Sequence, residues 1–155
     1  MEERTIETCA FTGHRTIEED FSFSALSEAI DECIRLGCKK FYCGMALGFD
    51  MLAAEEVLKR KEKNGELVLI ACVPCLDQTK FFPYEEKKRY EKILKKADET
   101  VVISERYTPW CMAKRNEYMA DRADALIAYC HKTKGGSAYT LNYFQKKKDG
   151  LVFKI

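Results

Sequence analysis
Two glycine-centred stretches carry residues able to hold an anion. The first runs Phe41-Tyr42-Cys43-Gly44-Met45-Ala46-Leu47-Gly48-Phe49-Asp50, and the second passes from Ala125-Leu126-Ile127-Ala128-Tyr129 to Gly135-Gly136-Ser137-Ala138. In each, small residues stand where an apolar strand gives way to a helix, so a ligand can approach the backbone while helix N–H groups point at it. The chemistry this suits is recognition of a nucleotide-like anion. Gly135, Gly136 and Ser137 would cradle a phosphate with amides and a hydroxyl, unless Ser137 only caps its helix. Arg115 offers a planar fork for bidentate contact with phosphate, or else a surface ion pair. Gly13, His14 and Arg15 follow the first strand and supply close approach, an imidazole and a cation, with a structural hydrogen bond as the plainer role for His14. Asp50, beside the close-approach glycines Gly44 and Gly48, would accept from a ribose diol or cap its helix. Tyr107 and Trp110, which flank Pro109 in a loop, would stack on a ring, unless Trp110 closes the core beneath that loop.

Other spacings offer less. Cys72-Val73-Pro74-Cys75 has the spacing of a redox or zinc pair, but no second ligand pair follows, and Leu76-Asp77-Gln78-Thr79 reads as loop where a thioredoxin-type site would open a helix. His14 and His131 form no metal cluster by themselves, so neither metal nor cofactor is expected. Cys9, Cys43, Cys72 and Cys130 sit in apolar runs and read as buried reduced thiols. The 155 residues, 46% hydrophobic, fit one domain over 1–155. Its 26 basic and 25 acidic side chains nearly cancel, which disfavours nucleic acid as a partner and leaves only a local basic patch open. No apolar run approaches the ~20 residues of a membrane helix. The start, Met1-Glu2-Glu3-Arg4, is acidic where a secretory signal would be basic and then apolar, so a cytoplasmic protein with no membrane association is expected. Lys146-Lys147-Lys148 reads as a solvated helix end.

The elements that must position these residues alternate. Strands are predicted at Thr8 to Thr12, Phe41 to Cys43, Leu67 to Val73, Val101 to Ile103, Ala125 to Tyr129 and Leu151 to Ile155. Between them lie a helix carrying Leu26, Ala29, Ile30, Cys33 and Ile34 with Gly37 as its C-terminal cap, one opening at Asp50 and stopping at Asn64-Gly65, and others at Glu85 to Ala97, Met112 to Ala123 and Ser137 to Lys147. This order implies an α/β fold with an open, mostly parallel sheet covered by helices on both faces, and a ligand site beyond the carboxyl ends of the strands. Phe81, Phe82 and Tyr84 read first as packing and second as a pocket wall.

Thr12-Gly13-His14-Arg15, the Gly44 to Asp50 junction followed by Ala53-Ala54, and Pro109-Trp110 leading into Met112 and Arg115 together resemble the YpsA-like family of the SLOG superfamily. The glycine junction is similar to that of Smf-type DNA-processing proteins. Met112 to Met119, Ala123-Asp124-Ala125 and Gly135-Gly136 are similar to the Lonely Guy phosphoribohydrolases. The resemblance implies a Rossmann-like fold that recognises nucleotides or nucleotide-derived molecules, in a sensor or regulatory role around bacterial cell division or stress. It also implies an alternative, N-glycosidic hydrolysis of a nucleoside monophosphate. Aligned without gaps, however, the glutamate that Lonely Guy enzymes place after the double glycine falls on Asn142, an amide and a poor acid or base, so Asp50 or Glu117 would have to replace it. Asn116 and Lys134 likewise stand where those enzymes have lysine and proline. Single-stranded DNA binding is the weakest expectation. A protein partner and self-association stay open.

Overall fold
The computed structural model describes residues 4–147 and 149–155. Met1 to Glu3 and Lys148, on which part of the acidic start and of the lysine triplet fall, lie outside them. The elements are β1 (Thr8–Gly13), α1 (Phe23–Arg35), β2 (Lys40–Cys43), α2 (Phe49–Lys61), β3 (Val68–Cys75), α3 (Tyr84–Lys96), β4 (Glu99–Ser104), α4 (Cys111–Arg122), β5 (Ala125–Tyr129), α5 (Gly136–Lys147) and β6 (Leu151–Lys154). Every pairing in the sheet is parallel, in the order β4-β3-β2-β1-β5-β6. This is an open, Rossmann-like α/β arrangement with helices on both faces.

The period of two along each strand divides the core into two layers. Cys9, Phe11, Phe41, Cys43, Leu69, Ala71, Val73, Ala125, Ile127 and Tyr129 face the layer that holds Leu26, Ile30 and Cys33 of α1, Val57 of α2 and Ile93 of α3. Ala10, Tyr42, Ile70, Cys72, Leu126 and Ala128 face the other, against Met119 and Ala120 of α4 and Leu141 and Phe144 of α5. Helix α1 shows how local chemistry fixes a boundary. The Ser22 side chain accepts from the Ala25 amide at its start. At its end Gly37 takes φ 109, while Cys38 N–H donates to the Cys33 carbonyl and Gly37 N–H to that of Ile34, a Schellman stop.

Strand β3 runs past its expected end at Val73, through Pro74 to Cys75. Proline is tolerated because β2 pairs with β3 only as far as Ala71, so the missing N–H falls beyond that partner. Cys72 faces the α4–α5 layer, whereas the Cys75 thiol meets Asp77 and Cys111 at the start of α4, and the CxxC spacing forms no disulfide. All eight cysteines are free thiols, and of the four read as buried only Cys130 is half exposed. No helix among the described residues is long and apolar enough to cross a membrane.

Strand order reverses between β1 and β5, whose last residues, Gly13 and Tyr129, lie in register. In open α/β sheets the crevice outside the carboxyl ends at such a switch point is where ligands bind.

Candidate functional site
A cleft of about 400 Å³ opens at that point, within the range of small-molecule sites. Gly13, His14 and Arg15 leave β1 along one wall, Gly135, Gly136 and Ser137 open α5 on another, and Asp50 and Arg115 line it from near the starts of α2 and α4. Gly44, Gly48 and Trp110, also expected in the site, are not among its lining residues.

Their positions explain why. Gly48 N-caps α2 at φ 79 and ψ −118, with its α-carbon pressed against the backbone of the β1 exit loop. An added Cβ would overlap the Arg15 carbonyl and lie 2.8 Å from that of His14. Phe49 N–H donates to the same His14 carbonyl at 3.1 Å. The close approach that the glycine permits is thus made by the chain itself. Gly44 lies beneath the Arg115 guanidinium and the Asp50 carboxylate, 3.0 and 2.8 Å from the position a Cβ would take. Trp110 is 58% exposed at the N-cap of α4, so it neither closes the core nor enters the cleft.

The floor holds a buried arginine and a buried aspartate, each bonded to backbone. Arg115, 5% exposed, donates from Nη1 to the Gly44 carbonyl and from Nε to Asn116 Oδ1 at 2.8 Å, with Nη2 directed at Met112 Sδ. It is therefore not a surface ion-pairing residue. Asp50, 6% exposed, does not cap α2; its Oδ2 accepts from the Ala46 amide at 3.2 Å. Between the Gly44 carbonyl and the Ala46 amide stands Met45, a buried non-glycine residue at φ 63. A side chain held in that region turns the chain sharply at an energetic cost, and such residues cluster at functional sites.

Burial pushes the Asp50 carboxyl up from 3.8 to about 6, against the opposing pull of Arg115, the Ala46 amide and Arg15. The sign of the consequence is fixed. Between about pH 4 and 6 the folded chain keeps a proton that the unfolded chain has released, so this group's contribution is favourable in acid and is lost as pH rises toward 6. The loss is about 3 kcal/mol at neutral pH. Asp50→Asn is expected to remove it. In urea unfolding from pH 4 to 7, the stability of the variant relative to the parent should rise by about that amount. Parallel pH profiles would show that Asp50 titrates normally.

His14 lies at the rim. Its Nε2 accepts from the His131 amide at 2.9 Å, which places the neutral ring's proton on Nδ1, and its edge meets the Tyr129 ring. Burial, with help from Lys132 and His131, lowers its pKa, so the imidazole is neutral near pH 7. The rim also carries residues not proposed as ligand-binding from the sequence: Lys132 and Lys134 beside the double glycine, with Thr12, Thr16, Glu18 and Asn116. The basic run around Gly135 was the available signal for the lysines. Of the proposed replacement carboxylates, Asp50 lines the cleft, whereas Glu117 accepts from the Tyr139 hydroxyl between α4 and α5. Asn142 is exposed on α5 and is not among the lining residues.

The YpsA family model, described as the YspA SLOG family, matches residues 9–155. The chain belongs to this family. It is 32% identical over 119 residues to the SPβ prophage-derived protein YoqJ of Bacillus subtilis strain 168, covering 69% of this chain and 70% of that one. It is 29% identical over 134 residues to a UPF0398 protein of Halalkalibacterium halodurans, covering 84% and 71%. Among solved structures, DNA processing protein A of Helicobacter pylori superposes with a TM-score of 0.65 at 21% identity over 96% of this chain. The Streptococcus pneumoniae protein of the same name gives 0.59, also at 21% identity, over 94%. This YpsA-family chain spans 65% and 50% of those two proteins, respectively.

These likenesses correct one expectation. Near-zero net charge was taken to disfavour nucleic acid, yet the fold is shared with a protein whose structure describes its single-stranded DNA binding mode. A chain-wide sum says little about a site: Arg15, Lys132 and Lys134 line one cleft at its rim, where Glu18 is the acid beside them and Asp50 lies buried in the floor.

Proposed function
We propose that the switch-point cleft binds the phosphate of a nucleotide or nucleotide-derived molecule, and that the chain acts as a sensor or regulatory protein rather than a catalyst. The observation that carries this reading is the convergence of Arg15, Lys132 and Lys134 with the glycine-rich start of α5 in one cleft of ligand size. Gly135 takes φ 104, and the space around both glycines is open: a Cβ on Gly136 would meet only Asn116 Nδ2, at 3.8 Å. That room, unlike the filled space at Gly48, is available to a ligand. The nucleotide of a single strand presents the same phosphate, and the likeness to DNA processing protein A supports a strand as one source of it.

Asp50 favours a second reading. A carboxyl pushed up to about 6 in a cleft is suited to proton transfer near neutrality, as base release from a nucleoside monophosphate requires. Thermal shift against AMP, ADP, ATP, NAD and ADP-ribose, followed by assay of each stabilising compound for released base, separates the two. An intact, stabilising ligand supports the sensor, turnover supports hydrolysis, and no shift with any compound removes the phosphate site. Gly136→Val is expected to leave the melting midpoint within about 2 °C, since nothing crowds the site, and to weaken binding at least ten-fold by filling the phosphate position. Full affinity in the folded variant would sink the cradle.

A further inference from the structure
The phosphate cleft does not end at Arg15. A second cleft of about 450 Å³ adjoins it and shares Arg15, Ala46 and Met112 as lining, but its far side is built from Phe81, Tyr107 and Lys80. These side chains come from the segments that follow β3 and β4, so the combined trough crosses the carboxyl edge of the sheet from β5 toward β4. At the spacing of neighbouring strands this is roughly 19 Å, longer than a mononucleotide. Phe81 is 89% exposed and Tyr107 60% exposed, large ring faces left in water beside the cations Lys80 and Arg15. Lys80 Nζ lies 5.5 Å from the Phe81 ring centre. The floor beneath is ordered: the Gly44 carbonyl that accepts from Arg115 in the first cleft also accepts from Gln78 Nε2 at 3.5 Å in the second, and Gln78 Oε1 accepts from the Tyr90 hydroxyl.

Exposed aromatic faces next to cations, continuous with a phosphate site, are what a second base linked through phosphate requires. The geometry points to a ligand with two bases: the phosphate is held at Arg15 and the α5 start, and a second base stacks on Phe81 and Tyr107. This rests on the phosphate reading of the first cleft. The shared chemistry has two sources, a soluble dinucleotide or the next nucleotide of a single strand.

Calorimetric titration of the full chain with AMP, NAD and the 5′-phosphorylated dinucleotide pdApdA tests it, in the parent and in Phe81→Ala/Tyr107→Ala. Both rings are exposed, so the variant folds. At least one two-base probe is expected to bind the parent about five-fold or more tightly than AMP, the lower end of what stacking on an aromatic side chain gives. The double variant should lose that advantage while keeping its AMP affinity within about two-fold. NAD as the tighter probe identifies a soluble dinucleotide. Preference for pdApdA, with affinity that grows with strand length and falls with salt, identifies a strand. AMP binding with no gain from the second base overturns the second subsite alone, as does a variant that weakens every probe equally or none. A parent that binds none of the probes overturns the first cleft's reading as well.

Discussion

Gly48→Ala is expected to lower the unfolding free energy by about 4 kcal/mol, with a melting midpoint down by ~8–16 °C. The backbone there sits at φ 79 and ψ −118, where an L side chain is strained whatever its surroundings. Positive φ alone costs roughly 1–2 kcal/mol. The larger part comes from overlap of the new methyl group with the Arg15 carbonyl, a backbone atom that cannot rotate away. Relief requires the β1 exit loop to move off the start of α2, which breaks the Phe49 amide bond to the His14 carbonyl and shifts His14 and Arg15 at the cleft wall. Gly65→Ala is the matched control: nothing lies within 4 Å of its added methyl group, and it should change stability by less than about 0.5 kcal/mol. A Gly48→Ala midpoint equal to that of the parent would show that the two loops are not locked together.

The same glycine shows what a sequence reveals and where it stops. Its place between a buried strand and a helix says that a backbone comes close, but not whether that backbone is a ligand's or the chain's own. The order of elements was legible because both layers are apolar, so strands such as Ala125–Tyr129 read as unbroken runs. Pro74 hid the end of β3, since proline argues against a strand unless the neighbouring strand has already ended, and that is a property of the register. Gly13, His14, Arg15, Asp50, Arg115 and the Gly135 to Ser137 turn converge because each follows or faces the carboxyl end of a strand, a rule that topology supplies. Lys132 and Lys134 fall in the stretch before the double glycine that sequence order places at the site, but a charge summed over the chain gave no reason to single them out as ligands. Among the aromatic residues, place in a loop at the carboxyl edge selects Tyr107 and Trp110 alike, yet only the fold decides that Tyr107 and Phe81 border a cleft and that Trp110 does not.

Arg115→Ala tests the floor of the site most directly. Sequence reading gives this arginine to a ligand or to the surface, but in the structure its guanidinium is buried and bonded to the Gly44 carbonyl and to Asn116. Truncation removes the cation that opposes the burial of Asp50 and leaves the Gly44 carbonyl only the long contact from Gln78. Leaving a buried carbonyl short of its donor and a buried carboxylate without its opposing charge costs about 2–3 kcal/mol, and that loss is expected here at pH 7 in urea unfolding. The penalty should depend on pH with a definite sign. Without Arg115 the Asp50 carboxyl rises further, so the variant's deficit is largest above about pH 6 and shrinks in acid, where Asp50 is protonated with or without its partner. Combining Arg115→Ala with Asp50→Asn should recover part of the loss at pH 7, because the stranded charge is gone. A deficit of the same size at pH 5 and pH 7 would mean that Arg115 acts through packing and its bond to Gly44 alone. A fully stable Arg115→Ala would return the residue to the role its sequence position first suggested, a guanidinium free to meet phosphate.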